Sequence, residues 1–253
     1  MSDQNPSPGF AGKTAIVTGA GSGIGRATAL RLSQQGATVI GSDVSSERLD
    51  SLAGELGGSA FVGVAGDISS EETAQRILLA ANGRVDALAN VAGIMDGFLP
   101  PHELTDQMWS RVLDVNLTAI MRLTRAVLPL MRASGHGSIV NVTSEAGLRG
   151  SAAGTAYTTS KHAVIGFTKS TAFFYAPEGI RCNAVAPGAV TTNIEAPFTS
   201  EFARQRLGPY MQVLVPPIAT AGQLAAAITW LLGDESMNTT GAVLPSDGGW
   251  SAI

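Results

Sequence analysis

The sequence predicts a doubly wound α/β fold, in which helices cover both faces of one seven-stranded parallel sheet. Short runs of β-branched residues alternate with helical stretches, a glycine-rich turn follows the first run, and apolar residues recur at steps of three and four in the helices. Strands separated by helices need right-handed crossovers, which give a parallel sheet. Ligands of such sheets bind at the carboxyl ends of the strands.

Each element follows from its local pattern. Apolar, β-branched runs predict strands at 14–18, 38–42, 60–65, 85–90, 138–142, 180–185 and 242–245. Helical periodicity predicts helices at 25–35, 47–56, 71–81, 103–132, 155–176 and 224–232. Gly36 is placed to end the first helix in the left-handed conformation, and Ser45 or Ser46 to cap the second.

One segment lacks this alternation. Residues 189–217 carry four prolines among the large apolar side chains of Phe198, Phe202, Tyr210 and Met211. A long insertion just past a strand end is commonly a lid or substrate loop. A surface excursion would explain the prolines but not the apolar side chains. The sequence therefore predicts a substrate loop at about 189–217, within a single domain spanning 1–253.

Composition narrows the function classes. Only 14% of the residues are charged, against roughly 25% in soluble domains, which favours a surface partly covered by subunit contacts. The net charge of −4, without a basic run, argues against nucleic acid or an anionic membrane as partner. Cys182 is the only cysteine and the histidines lack metal-ligand spacing, so no metal site is expected. No stretch reads as a signal peptide or a membrane span, so we expect a cytoplasmic location.

A glycine-rich turn, Thr18-Gly-Ala-Gly-Ser-Gly-Ile-Gly25, joins the first strand to the first helix. Such a turn lets backbone amides approach a pyrophosphate at the positive end of a helix, although a plain strand–helix turn would look the same. Asp43 ends the second strand, close to the offset of about 20 residues at which an acid binds the ribose hydroxyls. A carboxylate there repels a 2′-phosphate, so the Rossmann-type site is predicted to bind NAD rather than NADP. The alternative for Asp43 is a helix or turn cap.

Tyr157 and Lys161 lie four residues apart and so share one face of a predicted helix. A phenol titrates near pH 10 and is a poor base at neutral pH. An ammonium about 4 Å away contributes about 4 kcal/mol at an effective dielectric near 20, which corresponds to about 3 pKa units. Desolvation opposes this shift and a nicotinamide cation assists it. The pair is therefore a candidate acid/base with a pKa near neutrality.

Together these residues give the chain a resemblance to the short-chain dehydrogenase/reductase family over nearly its whole length. The motifs that carry it are Thr18-Gly-x-x-x-Gly-x-Gly25, Asn90-Val-Ala-Gly93, Asn116, Ser144, Tyr157-x-x-x-Lys161 and Pro187-Gly188. The resemblance implies Tyr157 as the general acid/base, Ser144 as the donor to the substrate oxygen, and Lys161 as the group that holds the ribose and lowers the pKa of Tyr157. It implies that Asn116 fixes a proton-relaying water. Val91 departs from the family's usual second asparagine.

The resemblance also implies a set of cofactor contacts along the strand ends. These are Gly19, Ser22, Gly23, Ile24, Gly25, Asp43, Asp67, Ile68, Asn90, Ala92, Tyr157, Lys161, Pro187, Gly188, Val190 and Thr192. Three residues have simpler interpretations: Ser144 as a strand end, Asn116 as a core amide and Thr192 as a helix cap. The presence of all four catalytic positions favours the catalytic interpretation.

Apolar side chains are expected to form the substrate pocket. The candidates are Ile94, Met95, Ser144, Glu145, Leu148, Phe198, Phe202, Tyr210 and Met211. They favour an apolar secondary alcohol or ketone, aromatic or alicyclic. Glu145 is a sharper hypothesis, because a carboxylate beside the catalytic serine could hold a substrate amine or hydroxyl; a solvated or ion-paired acid is the alternative.

Two other functions remain open at this point. The chain could be an NADPH-dependent reductase of carrier-bound 3-oxoacyl groups, against which Asp43 and the lack of a basic docking patch argue. It could also bind NAD without turnover, since fold does not fix function. As in the family it resembles, we expect a homotetramer in which the helices at 103–132 and 155–176 pack across two-fold axes.

Overall fold

The centre of the protein is a parallel sheet of seven strands, in which the third, second, first, fourth, fifth, sixth and last sheet strands along the chain lie side by side in that order. The computed structural model describes residues 9–58, 60–192, 194 and 197–252. The sheet strands are β1 Thr14–Thr18, β2 Thr38–Asp43, β3 Phe61–Ala65, β4 Ala87–Asn90, β5 Gly137–Val142, β6 Ile180–Pro187 and β9 Val243–Ser246. The seven-stranded doubly wound fold predicted from the sequence is confirmed.

Eight helices connect the strands within the described residues. They are α1 Gly23–Gln34, α2 Ser46–Leu56, α3 Glu71–Ala80, α4 Asp106–Leu113, α5 Ala119–Ser134, α6 Thr155–Tyr175, α7 Glu201–Leu214 and α8 Ala221–Leu232. Gly36 follows α1 with φ of 88°, and the Ser45 hydroxyl accepts a hydrogen bond from the Arg48 amide at the start of α2, as the sequence predicts. None of these helices combines the length and apolar character that crossing a membrane requires.

Two apolar cores lie on opposite faces of the sheet. Side chains alternate between the faces of a strand, so Ala15 and Val17 of β1 join one core and Ile16 joins the other. The first core includes Leu32 of α1 and Leu224 of α8, and the second is formed with α3, α5 and α6. Helices therefore cover both faces, which leaves the carboxyl ends of the strands as the accessible edge.

The sheet order reverses between β1 and β4, where their carboxyl ends diverge into different loops. The Thr18 hydroxyl accepts hydrogen bonds from the amides of Val91 (2.9 Å) and Ala92 (3.0 Å) and ties the end of β1 to the segment after β4. Crevices at such reversal points are the usual ligand sites of open parallel sheets.

The long helix predicted at 103–132 is interrupted. It begins at Asp106, and between α4 and α5 the residues Asp114–Thr118 form a π-helical turn. In this turn the Ala119 amide donates to the Asp114 carbonyl, five residues back. Periodicity alone could not reveal this turn, because the apolar residues of the sequence still recur at steps of three and four through it. Such turns are frequent at functional sites, and this one contains Asn116.

The segment 189–217, predicted as a substrate loop, contains regular structure. Val190–Thr191 (β7) pairs in parallel with Ala219–Thr220 (β8), and α7 occupies Glu201–Leu214 with Pro209 in its interior. The Ser200 hydroxyl caps α7 by accepting from the Ala203 amide at 3.0 Å. The segment is therefore not irregular throughout, because the Ser200 cap begins a helix that continues past Pro209; its role as a substrate segment stays a prediction.

Candidate active site

The glycine-rich turn packs so closely that side chains are excluded at several of its positions. A Cβ on Gly25 would lie 2.6 Å from the carbonyl carbon of Gly19, and Gly19 itself has φ of 67°. A Cβ on Gly23 would lie 3.0 Å from Thr192 Cβ. The turn therefore presents bare backbone at the start of α1, whose positive end attracts a phosphate. The residues present fit a bound dinucleotide.

Asp43 lies beside this turn at the end of β2, with a mostly buried carboxylate. It accepts hydrogen bonds from the amides of Gly21 (3.0 Å) and Ser45 (3.1 Å) and from Arg48 Nη2 (2.7 Å). A Cβ on Gly21 would lie 2.7 Å from Asp43 Cγ, so glycine is needed there. Asp43 thus serves as a turn cap and also faces the cleft, where a ribose diol could reach it.

A cleft of about 770 Å³ runs along this edge of the sheet. Most of the predicted cofactor residues line it, namely Gly19, Ser22, Gly23, Ile24, Gly25, Asp43, Asp67, Ile68, Ala92, Tyr157, Lys161, Pro187, Gly188, Val190 and Thr192. Asn90 is the exception. Its amide is buried behind the cleft, where Nδ2 donates to Asn141 Oδ1 at 2.8 Å and joins β4 to β5.

Tyr157 and Lys161 project from α6 into the cleft, and both are almost fully buried. Lys161 Nζ lies 5.4 Å from the centre of the Tyr157 ring and donates to the Val142 carbonyl at 2.9 Å. Ser144, in the loop after β5, lies near enough to the Tyr157 hydroxyl to lower its pKa, and its Oγ accepts from the Ala146 amide at 3.1 Å. The three side chains therefore meet at one point of the cleft wall.

The electrostatics of this group differ from the sequence expectation. Burial raises the pKa of Tyr157 to about 12, against the opposing hydrogen bond from Ser144 and with a further contribution from the charge of Asp96. Burial also lowers the pKa of Lys161 to about 8. Desolvation of the buried phenol therefore outweighs the stabilisation that a nearby ammonium gives to the phenolate, opposite to the sequence expectation. The polypeptide alone holds the proton on Tyr157.

Asn116 lies below the cleft rather than on its wall. Its side chain is fully buried, accepts from the Ile94 amide (2.9 Å) and donates to the Ile94 carbonyl (2.9 Å) and to Ser160 Oγ (3.2 Å). The side chain thus behaves as a hydrogen-bonded core amide that fixes the segment after β4. The water-binding role implied by the resemblance stays a prediction.

Met95, Phe98 and Met211 pack in one apolar cluster with Tyr157, and further apolar residues line the rest of the cleft. Of the predicted residues, Ile94, Met95, Ser144 and Met211 line it. Further apolar residues that the sequence reasoning did not single out also line it, namely Phe98, Ala152, Ile194, Val215, Ile218 and Trp250. Most of them belong to loops far apart in sequence, so no local pattern could have marked them.

Five predicted substrate residues lie outside the cleft lining, and four of them are hydrophobic. Ala203, Leu207 and Met211 form the inward stripe of α7, and helical periodicity therefore turns Phe202 and Tyr210 outward, where they are 57% and 46% exposed. Phe198 packs behind the wall, with its ring 4.2 Å from that of Phe98. Leu148 is exposed on the surface.

Glu145 is also absent from the cleft wall. Its carboxylate is 1% exposed and forms an ion pair with Arg149, one helical turn on. Burial raises the pKa of Glu145. The ion-paired alternative therefore describes this residue better than contact with a substrate amine, because its side chain points into the protein from the turn after Ser144.

Comparison with known proteins agrees with this geometry. The family model for short chain dehydrogenase matches residues 13–202. A short-chain dehydrogenase/reductase of Talaromyces verruculosus, cdmF, is 42% identical over 251 residues, covering 94% of this chain and 96% of the relative. The 3beta-hydroxysteroid dehydrogenase 2 of Eggerthella lenta is 37% identical over 262 residues and covers all of both chains.

Solved structures give the same result. Levodione reductase superimposes with a TM-score of 0.87 at 33% identity, covering 96% of this chain and 99% of that one. A structure described as a candidate NAD(P) dependent gluconate 5-dehydrogenase of Beutenbergia cavernae, with NADP bound at low occupancy, has a TM-score of 0.84 at 37% identity and covers 97% of this chain and 100% of that one. The chain belongs to the short-chain dehydrogenase/reductase family of oxidoreductases acting on CH–OH groups.

Proposed function

We propose that the protein is an NAD-dependent oxidoreductase that interconverts an apolar secondary alcohol, aromatic or alicyclic, with its ketone. The observation that carries the proposal is the meeting of Ser144, Tyr157 and Lys161 in a cleft that continues to the glycine-rich turn and Asp43. A proton-transfer group beside a dinucleotide site is what oxidation of a carbinol requires.

Tyr157 moves the proton in this proposal. Its hydroxyl keeps its proton at neutral pH, so it is ready to donate to a ketone oxygen. In the reverse direction the phenol first gives its proton to solvent, and the phenolate then takes the proton of the alcohol. Ser144 holds the substrate oxygen, and Lys161 favours the phenolate when it is charged. When bound, the nicotinamide supplies the hydride acceptor for oxidation and the hydride donor for reduction.

NAD is proposed over NADP because the Asp43 carboxylate faces the ribose end of the cleft. Arg48 lines the same region and forms an ion pair with Asp43. Without this ion pair the Arg48 cation could bind a 2′-phosphate. We expect kcat/KM to be at least tenfold higher with NAD than with NADP, and the preference to vanish in Asp43→Ala but persist in Arg48→Ala. Preference for NADP that is lost in Arg48→Ala would contradict the proposal.

The substrate class follows from the wall of the cleft near Tyr157, to which Met95, Phe98 and Met211 contribute. Burying a rigid apolar ring system against such a wall stabilises the complex by about 25 cal/mol per Å². A steroid dehydrogenase among the relatives supports the same class. The test is a panel of steroid, alicyclic and polyol substrates followed by NADH absorbance. We expect the apolar ring substrates to exceed the polyols by about 100-fold in kcat/KM, and turnover of polyols alone would contradict this.

We further propose a homotetramer of this small-molecule enzyme. Phe173 and Phe174 of α6 are 78% and 67% exposed, and Trp230 of α8 is 41% exposed. Exposed apolar patches of this kind commonly mark contacts between subunits. Light scattering of the full chain should give four times the 25.9 kDa chain mass, and a monomer would contradict the proposal. The cytoplasmic location stays a prediction from the sequence.

A further inference from the structure

The loop after β4, residues 96–99, meets the first turn of the helix that carries Tyr157. Asp96 is fully buried, and its Oδ2 accepts from the Tyr157 amide at 2.9 Å. The Leu99 carbonyl accepts from the Thr155 amide at 2.9 Å. The first amides of a helix have no partner inside it, and here a distant loop provides the partners.

Gly154 makes this approach possible. It is the N-cap residue of α6 and has no side chain with which to cap the helix. A Cβ at this position would lie 2.6 Å from Asp96 Oδ2 and 2.5 Å from the Leu99 amide nitrogen. The Asp96 carboxylate therefore replaces a local cap, and its negative charge lies at the positive end of the helix.

The same loop is also attached to the substrate segment. The Gly97 carbonyl accepts from the Thr199 amide (3.1 Å) and hydroxyl (2.9 Å). Phe98 stacks on Phe198 and adopts φ of 61°, a left-handed conformation that non-glycine residues rarely hold without support from their surroundings. The loop is thus held from both sides, which limits how far the Asp96 carboxylate can shift.

Asp96 also acts on Tyr157 through its charge. The charged or titratable side chains around the phenol are Asp96 from the loop after β4, and Lys161 from α6 itself. The Asp96 carboxylate disfavours a second negative charge nearby and so favours the protonated phenol. It therefore opposes the influence of a charged Lys161.

We propose that Asp96 is a positioning residue for proton transfer, whose carboxylate caps the catalytic helix at Tyr157 and fixes the phenol relative to Ser144 and Lys161. This inference rests on the proposed role of Tyr157 as the acid/base. Its contribution comes through Tyr157, because Asp96 does not line the cleft.

The test is Asp96→Asn, with Asp50→Asn on the exposed face of α2 as the matched control. Asparagine keeps the size, removes the charge and places an NH₂ group against one amide donor. We expect kcat to fall 10- to 100-fold with KM changed less than twofold, and the pKa in the kcat profile for alcohol oxidation to move to lower pH. Hydrogen exchange of a peptide covering 154–160 should be at least tenfold faster. The control should change none of these.

Each other outcome has a defined meaning. The proposal would be overturned if Asp96→Asn showed wild-type hydrogen exchange at 154–160 and an unshifted pH profile of kcat. It would also be overturned if hydrogen exchange were faster while kcat and its pH profile stayed unchanged, because Asp96 would then be a structural cap only. If Asp96→Asn does not fold, Gly154→Ala displaces the carboxylate from the helix side and should give the same three changes. Absence of turnover in the wild type with every alcohol would contradict the proposed function, whereas the exchange measurement would still test the cap.

Discussion

At the amino-terminal edge of the sheet the buried carboxylate of Asp86 is surrounded by donors. At the carboxyl-terminal edge the buried ammonium of Lys161 has, within the described part of the chain, one carbonyl acceptor. Asp86 accepts from the Thr14 amide (2.7 Å), from Arg84 Nε (2.8 Å) and Nη2 (3.1 Å), and from His136 Nε2 (2.7 Å). Burial alone would raise the pKa of Asp86, but hydrogen bonds from Arg84, Thr14 and His136 hold it below its usual value.

Lys161 has no such compensation. Among the residues that the structure describes, no carboxylate forms an ion pair with it, and burial lowers its pKa to about 8. A buried charge whose partners are complete stabilises the fold, whereas one whose partners are incomplete is available for chemistry near neutral pH. We therefore expect substitutions at the carboxyl-terminal edge of the sheet to abolish activity, and substitutions at the amino-terminal edge to lower the free energy of unfolding.

The largest effect is expected at Tyr157. Tyr157→Phe removes the hydroxyl that transfers the proton and should lower kcat/KM by about 10³-fold. Binding of NADH, followed by fluorescence, should be unchanged, and the melting temperature should not fall. Tyr210→Phe, on the exposed face of α7, is the control and should retain full activity. Residual activity above a tenth of the wild type in Tyr157→Phe would show that another group transfers the proton.

Lys161→Met should lower activity without lowering the free energy of unfolding at pH 7. Without the cation, kcat should fall on the order of 100-fold, whereas at pH 7 the free energy of unfolding should not decrease because a costly buried charge is removed.

The pH dependence of the stability difference between the wild type and Lys161→Met follows from the lowered pKa of Lys161. The pKa of Lys161 falls from 10.5 to about 8 on folding, so between these values the unfolded chain binds more protons and the wild type gains stability as pH rises. Relative to Lys161→Met the gain should be about 1 kcal/mol per pH unit. Urea unfolding at several pH values measures it, and a difference that does not vary with pH would contradict the expected burial of Lys161.

At the amino edge, Asp86→Asn should cost about 2–3 kcal/mol in the free energy of unfolding, because a carboxylate with four donors becomes an amide with one acceptor oxygen. The pKa of Asp86 is lowered in the folded protein, so its stabilisation is present above the unfolded value and is lost as pH falls through the folded one. Asp234→Asn, in the exposed ion pair with Lys13, should change stability by less than about 1 kcal/mol. Loss of activity in the folded Asp86→Asn protein would contradict the expectation that the amino-terminal edge affects stability and not activity.

The smallest effect is expected for His136→Ala. It removes one of the four donors to Asp86 from a half-exposed side chain, so the loss should be about 1 kcal/mol or less. Chemical denaturation at neutral pH measures it. A loss as large as that of Asp86→Asn would show that His136, and not Arg84, is the main partner of the carboxylate.

Much of the fold and the cofactor end of the site were predictable because they depend on local pattern. The glycine-rich turn, Asp43 and the spacing of Tyr157 and Lys161 are short-range features, and the structure brings them to one edge of the sheet. The substrate end was not predictable in the same way. The outward direction of Phe202 and Tyr210 depends on which face of α7 packs inward, and local pattern does not encode that choice.

The sequence by itself determined the alternation of strands and helices, the parallel sheet and the position of the candidate acid/base on its helix, since periodicity and turn chemistry act within a few residues. Only the tertiary structure decided that Asn116 binds Ile94, that Glu145 pairs inward with Arg149, and that Asp96 caps the helix of Tyr157. Asp96 and Tyr157 lie 61 residues apart in the chain. Their contact and the burial that sets the pKa of Tyr157 arise from packing between loops, which no local pattern encodes.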